Sequence, residues 1–293
     1  MKYLITLHDH VNLESILAYA DGVLIGNDQF GTRLCHSFSI DEINLICHEA
    51  SELGKDVFLV ANQMMTDDEL GQFSDWLDKL TLPLIKGIVV ADLGAIMTLK
   101  EKGLEEKAIY NPETLITNHY DFNFLEALNI QGVYAAKEIT LDDLKTIGKH
   151  KKLSMFMVGH GHLNMFYSKR QLIKNYEIHL EQDLDLHNRQ DLRLIEEKRS
   201  DEPYPVLEDH AGTHVFRSKV MHVLNHVDDL SPWIDVMVID TIFKDDRYGM
   251  LVSQMYATND HTLKEKIQAE YQEQWDEGFF YKKTVYKGKG GEQ

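Results

Sequence analysis

The stretch KGIVVADLGAIMTLKEKG, residues 86–103, contains one strand and one helix in direct succession. Its first half is a short run rich in valine and isoleucine, which is typical of a strand buried on both faces. Its second half has the periodicity of a helix, and Gly103 follows where a helix commonly ends. The stretch therefore predicts a strand–helix unit of the kind from which parallel sheets are built.

Similar units recur along the whole chain. Two of the helices begin with capping-box spacing, one at Ser39 with Glu42 and one at Thr66 with Glu69. We predict eight strands, within residues 3–8, 21–26, 56–62, 86–92, 107–112, 131–138, 153–159 and 233–240. Eight such units favour an α/β fold, a (β/α)₈ TIM-barrel-like domain. An open doubly wound sheet is the alternative, but no G-x-G-x-x-G follows any strand, so its dinucleotide-binding form lacks support.

The spacing of the units breaks once, between predicted strands seven and eight. We assign residues 1–162 to barrel strands one to seven and residues 163–232 to an insertion that caps the barrel. Residues 233–262 hold the last strand and the segment after it, and residues 263–293 a C-terminal segment with a basic tail. Within the insertion, DLDLHNRQDLRLIEEKR (183–199) is predicted to be a charged helix, and EPYPVLEDHAGTHVFRSK (202–219) to be extended.

Composition narrows the class of protein. The net charge is −18, from 48 acidic and 30 basic residues, which disfavours a chain that binds nucleic acid unaided. No apolar run approaches the roughly 20 residues that a membrane span requires. The two cysteines provide neither a disulfide framework nor a four-cysteine metal site. We expect a cytoplasmic protein without a membrane partner.

Polar side chains follow most of the predicted strands, and barrel sites are built from the loops at these carboxyl ends. We therefore expect a small-molecule or substrate site there. His160 and His162 follow strand seven, and their i, i+2 spacing could bring both imidazoles to one metal ion. His8 and His10 after strand one have the same spacing, and for that pair hydrogen-bonded or solvent-facing histidines are the better interpretation. Tyr167, Ser168 and Arg170 could bind an anion, or could lie at a solvated helix terminus.

Several stretches together resemble the collagenase-like peptidase family U32. They are DGVLIGNDQFGTR (21–33), GVYAAKEITLDDL (132–144), GHGHLNMFYSKRQLIKNY (159–176) and PVLEDHAGTHVFRSK (205–219). Relatives in this family are named as peptidases, but several instead carry out or assist oxygen-independent or prephenate-dependent hydroxylations, including 5-hydroxylation of the tRNA wobble uridine. Those relatives often hold an iron–sulfur cluster on four cysteines.

The resemblance implies a set of site residues. We take Glu138 and His160 as the catalytic candidates, because their side chains suit proton transfer near neutral pH. Ligand binding is expected at Asn62, Asp92, Asn118, His162, Tyr167, Ser168, Arg170, Glu208 and Ser218.

The chain departs from the family pattern at the cluster positions. Asn164 and Gln171 stand where the family has cysteines, and amides cannot replace thiolates, so we expect no iron–sulfur cluster and no other cofactor in this chain. The leading hypothesis is a cluster-free subunit of tRNA wobble-uridine hydroxylation. It would work with a cluster-carrying paralogue, meet tRNA through that partner, and hold a small anion or shape the partner's site.

Two alternatives remain open. One is a peptidase that uses zinc at His160 and His162, and the other is a scaffold without chemistry of its own. Whether the chain is itself an enzyme is left undecided by the sequence.

Overall fold

The computed structural model describes residues 1–281; the predicted basic tail, apart from its first residue, lies outside that range. Eight parallel strands form a closed barrel. They are β1 (Lys2–Thr6), β2 (Gly22–Gly26), β3 (Asp56–Ala61), β4 (Ile85–Val90), β5 (Ala108–Tyr110), β6 (Gly132–Tyr134), β7 (Ser154–Gly161) and β13 (Val236–Ile239).

The barrel closes through its last strand, which lies between the first and the seventh. Leu4 of β1 is in register with Val238 of β13, and Val238 is in turn in register with Val158 of β7. The predicted (β/α)₈ TIM-barrel-like fold is thus confirmed.

Side chains that point into the barrel form a small apolar core of their own. There Phe156 stacks on Tyr134 at a centroid distance of 5.3 Å and meets Phe58 edge-on at 6.1 Å, together with aliphatic residues from the other strands. Alternate residues of the same strands point outward and pack against the helices, which forms the larger core. The inner core fills the barrel below its carboxyl-terminal end, so space for a ligand is confined to that end.

Helices follow the strands, and those outside the insertion cover the outer face of the barrel. They are α1 (Leu13–Leu17), α2 (Ile40–Glu52), α3 (Asp67–Leu77), α4 (Leu93–Glu101), α5 (His119–Phe124), α6 (Leu141–His150), α7 (Leu172–Leu180), α8 (Val227–Leu230), α9 (Asp246–Thr258) and α10 (His261–Tyr271). The capping boxes predicted at Ser39 and Thr66 are both formed, and Thr140 begins α6 with a third. No helix within residues 1–281 is both long and apolar enough to cross a bilayer.

The segment between β7 and β13 contains a small antiparallel sheet and α7. Its strands are β8 (Asn164–Ser168), β9 (Arg193–Glu196), β10 (Arg199–Asp209) and β11 (Gly212–Phe216), in the order β8-β11-β10-β9. The extended structure predicted for residues 202–219 is present. The helix predicted over residues 183–199 is wrong, because this stretch forms turns and β9 instead.

The chain then returns to the barrel wall. Strand β12 (Val220–His222) runs antiparallel to β7, and the two-residue strand β14 (Trp275–Asp276) pairs with β12. Through β12 and β14 the C-terminal part of the described chain packs against the outside of β7.

Candidate functional site

A cavity of about 80 Å³ lies at the carboxyl-terminal end of the barrel. The loops after β2, β5, β6 and β13 line its sides, and the insertion closes it with Leu163, Asn164 and Phe216. This volume holds a few water molecules or a small ligand. It is the position at which barrel enzymes bind their substrates.

Three charged side chains meet at one wall of this cavity. The Arg33 guanidinium donates from Nη2 to Glu113 Oε1 at 2.8 Å, and the Lys137 ammonium contacts the other Glu113 oxygen. Lys137 also donates to the backbone carbonyl of Asn164 at 3.3 Å. Burial lowers the pKa of Lys137, and the neighbouring Arg33 guanidinium lowers it further.

A fourth charged residue, Asp240, follows β13 directly and lines the same cavity. Its Oδ1 accepts a hydrogen bond from the Ile242 amide at 3.1 Å. Burial raises the pKa of this carboxyl, which favours the protonated acid. Arg33 and Lys137 therefore share the cavity with the carboxyl groups of Glu113 and Asp240, so it offers both basic and acidic groups to a polar ligand.

The loop that carries Arg33 is fixed by contacts to the insertion. Asp209 Oδ2 accepts from the Thr32 hydroxyl at 2.6 Å and from the Arg33 amide at 3.0 Å, and Asp209 Oδ1 lies 3.4 Å from His214 Nε2. Although burial opposes ionisation, hydrogen bonds from His214, Thr32 and Arg33 hold the pKa of Asp209 well below its usual range. The ring of Tyr167 stacks on His214 at 4.5 Å. The insertion therefore positions a charged residue of the barrel cavity.

Two predicted site residues line the cavity. The side chain of Asn62 is buried and accepts from the Thr32 amide at 2.9 Å through Oδ1. His162 Nδ1 donates to the carbonyl of Arg217 at 2.8 Å, and burial lowers the pKa of its imidazole to about 4. His162 is therefore neutral near pH 7.

The two catalytic candidates lie elsewhere. Glu138 is exposed to solvent beside the cavity, and its neighbour Lys137 is the side chain that enters it. His160 is completely buried on the outer side of β7, where its ring nitrogens lie 2.8 Å from the Tyr248 hydroxyl and 3.4 Å from the Tyr256 hydroxyl. The structure supports neither as a catalytic residue, because neither contacts the cavity.

Several other predicted ligand-binding residues are helix caps. Asp92 accepts from the Ala95 amide at the start of α4, and Asn118 accepts from two amides at the start of α5. Glu208 is almost fully buried and accepts from the amides of Ile173 and Lys174 in the first turn of α7. These groups accept hydrogen bonds from the chain's own backbone, and none of the three lines the cavity.

The remaining predicted residues belong to the insertion. Tyr167 donates to the Ala211 carbonyl at 3.0 Å, and Ser168 accepts from the Arg170 amide at 3.2 Å. The Arg170 side chain is exposed. Ser218 lies in a separate groove on the far side of the small sheet, so the structure does not bring it to the cavity.

The zinc alternative requires His160 and His162 at one ion. The first is enclosed by tyrosines outside β7 and the second faces the cavity, so they do not share a site. Within residues 1–281 no group of three histidine, cysteine or acidic side chains is arranged to hold a metal ion. An iron–sulfur cluster does not fit either, since Asn164 and Gln171 present amides and the Gln171 amide donates to the carbonyls of Asp209 and His210.

Sequence reasoning did not name Arg33, Glu113, Lys137 or Asp240 as site residues. Arg33 ends the stretch DGVLIGNDQFGTR and Lys137 lies within GVYAAKEITLDDL, two of the stretches that carried the family resemblance. The signal available was a basic residue in the loop after a predicted barrel strand, within a stretch that carries the resemblance. Glu113 follows a proline in a weak strand and carried no such signal.

Comparison with known proteins agrees with this fold. The family model described as Peptidase family U32 matches residues 11–284. The chain is 26% identical to tRNA hydroxylation protein P2 of Bacillus subtilis, over 94% of this chain and 95% of that protein. It is 25% identical to tRNA hydroxylation protein P of Escherichia coli, over 56% of this chain and 37% of that protein. The solved structure of the U32 peptidase Mk0906 superposes on this chain with a TM-score of 0.51 and 14% identity, over 82% of this chain and 92% of that one, which shows the shared fold.

Proposed function

The chain belongs to peptidase family U32, and we propose that it is a cluster-free component of tRNA hydroxylation that acts at the 5-position of the wobble uridine. The observation that carries the proposal is the match to tRNA hydroxylation protein P2, which extends over nearly the full length of both chains. A match of this extent includes the barrel, the insertion and the loops that line the cavity.

The cavity supports a role for this chain's own residues. Arg33 and Lys137 would bind an anionic group of a small co-substrate, with Glu113 holding both cations in place. The Asp240 carboxyl, whose pKa is raised by burial, lines the same cavity and would hydrogen-bond to the same molecule. Closure by Phe216 of the insertion would exclude water from this group.

We further propose that the chemistry is shared with a paralogue of the same family that carries the iron–sulfur cluster. This chain has two cysteines, and burial raises the pKa of both thiols, so neither suits a cluster ligand. The net charge of −18 disfavours independent tRNA binding, so the partner would supply the basic surface. A chain that never meets the paralogue in cells would contradict this pairing.

Mass spectrometry of tRNA nucleosides tests the proposal directly. A strain that lacks the gene should lose nucleosides derived from 5-hydroxyuridine, and the wild-type chain should restore them. Lys137→Met should not restore them, because it removes a cation from the cavity. Glu138→Gln is the matched control, since it changes the adjacent exposed side chain and should restore modification fully.

The same experiment separates the alternatives. A scaffold without chemistry of its own would tolerate Lys137→Met as well as Glu138→Gln. An unchanged nucleoside profile in the deletion strain, and also in a strain that lacks both paralogues, would contradict a role in hydroxylation. A metal-dependent peptidase is not proposed, because His160 and His162 contact different parts of the molecule.

A further inference from the structure

A second pocket, which we call the entrance pocket, opens beside the cavity and has a volume of about 420 Å³. Both spaces are lined by the same five residues, so the two are adjacent; these are Arg33, Asn62, Asn111, Glu113 and Asn164. The volume lies within the range of sites that bind small organic ligands.

Apolar side chains flank the outer part of the entrance pocket. Met64, Met165 and Phe166 remain 37%, 39% and 46% exposed, although each is a large hydrophobic residue. Tyr167 lines the same pocket. An aromatic ring and two thioethers around one opening suit a flat ligand that can stack, as unpaired nucleobases do on protein side chains.

Three asparagine side chains lie at the border with the cavity, and each is at least nine-tenths buried. Asn62 Oδ1 accepts from the Thr32 amide and Asn111 Oδ1 accepts from the Glu113 amide, which leaves each Nδ2 group available as a donor. Asn164 Oδ1 is the opposite case, since this buried acceptor has no hydrogen-bond partner within residues 1–281. The border therefore offers one acceptor and two donors, and leaving a buried acceptor unpaired is costly unless a ligand satisfies it.

We propose that the entrance pocket binds a uracil base turned out of the RNA strand. The N3–H of uracil would donate to Asn164 Oδ1, and the carbonyls on either side of it would accept from the Nδ2 groups of Asn62 and Asn111. Cytosine presents an acceptor at N3 and an amino donor at C4, so it does not fit this pattern. The inference rests on the proposed function, which it deepens by naming how the substrate base is selected.

The arrangement also indicates where the reacting atom points. When the N3 edge of the ring hydrogen-bonds to the asparagines, the opposite edge, with C5 and C6, points away from them. That edge then lies at the opening that Met64, Met165 and Phe166 flank. Arg170 and Lys169 follow Phe166 and Tyr167 in the chain, and the Lys169 ammonium donates to the Met64 carbonyl at 2.8 Å, so positive charge lies at the rim for phosphate contacts.

Photocrosslinking tests the pocket. The full chain is isolated from its own cells with any bound partner, and is irradiated with an anticodon stem-loop RNA that carries 5-iodouridine at the wobble position. Crosslinks should map to peptides that contain Met64 or residues 165–167. The yield should fall at least tenfold with 5-iodocytidine at the same position, and also with Asn164→Leu.

Phe166→Ala guards against a folding artefact, because this half-exposed wall residue can be truncated without opening the core. It should lower the yield, whereas Phe124→Ala, an exposed phenylalanine on α5, should leave the yield unchanged. Crosslinks elsewhere in the chain, no crosslink to it, or equal yields with uridine and cytidine would overturn the pocket. Crosslinking as expected with an unchanged tRNA nucleoside profile would instead refute the role in hydroxylation and retain the base site.

Discussion

Replacement of Glu208 by glutamine separates a structural role from a role in ligand binding. The buried carboxylate accepts from the amides of Ile173 at 2.7 Å and Lys174 at 2.9 Å. Helix α7 has no N-cap side chain of its own and no buried residue, so this carboxylate is a main anchor of its first turn. A hydrogen bond to a charged group contributes about 1.5–3 kcal/mol. Since glutamine keeps one oxygen and turns an amide toward the other donor, the expected loss is about 2–4 kcal/mol.

Hydrogen exchange measured by mass spectrometry should detect this loss locally. A loss of about 2–4 kcal/mol corresponds to a fall of about 30-fold to 700-fold in the protection of the α7 amides of Glu208→Gln. The amides of the barrel strands should keep their protection. Glu202→Gln is the control on the same strand, because its exposed ion pair with Lys219 contributes little. Unchanged protection of α7 together with loss of tRNA modification would refute the capping role and return Glu208 to the binding site.

Three further predictions concern stability and reactivity. Gly161→Ala should lower the free energy of unfolding, measured in urea, by about 2–4 kcal/mol, because φ is +135° there and the new Cβ would lie 2.4 Å from the Asp240 carbonyl oxygen. Gly71→Ala is the control and should not lower it, because Gly71 lies on open helix surface. Burial lowers the pKa of His162 and His222 to about 4, so protons bind the unfolded chain first as the pH falls below 6.5. Each of the two histidines should lower the free energy of unfolding by about 2 kcal/mol at pH 5, relative to neutral pH. His222→Gln should remove the contribution of His222 to this pH dependence. Both cysteine thiols should resist iodoacetamide at pH 8 until urea unfolds the chain, because burial raises their pKa values.

The fold could be predicted from the sequence because its signals are local. Strand runs, capping boxes and a terminal glycine are each determined within a few residues, as at Thr66 with Glu69. The predicted helix over residues 183–199 failed for a physical reason. Its charged composition suits a helix, but Arg193 and Leu194 pair with β10, a contact that depends on residues farther along the chain.

The site was harder to predict because side-chain direction in loops is not periodic. Lys137 and Glu138 are neighbours after β6, and only the packed structure decides that the lysine enters the cavity. At β7 the register shift opposite Val238 and Ile239 accompanies the change of side between His160 and His162. Asp92 and Asn118 were open to a second interpretation from the start, since aspartate and asparagine directly before a helix are the preferred caps.

The position of β13 between β1 and β7 also sets an order of events during synthesis. Until Ile239 has left the ribosome, β1 and β7 are both sheet edges with unpaired backbone groups. The roughly 80 residues between the end of β7 and the end of β13 take about 4–16 s to translate. During that interval the nascent chain has an open sheet whose two exposed edges can pair with other chains. We therefore expect this protein to depend on ribosome-associated chaperones more than a protein whose last element to form is a helix.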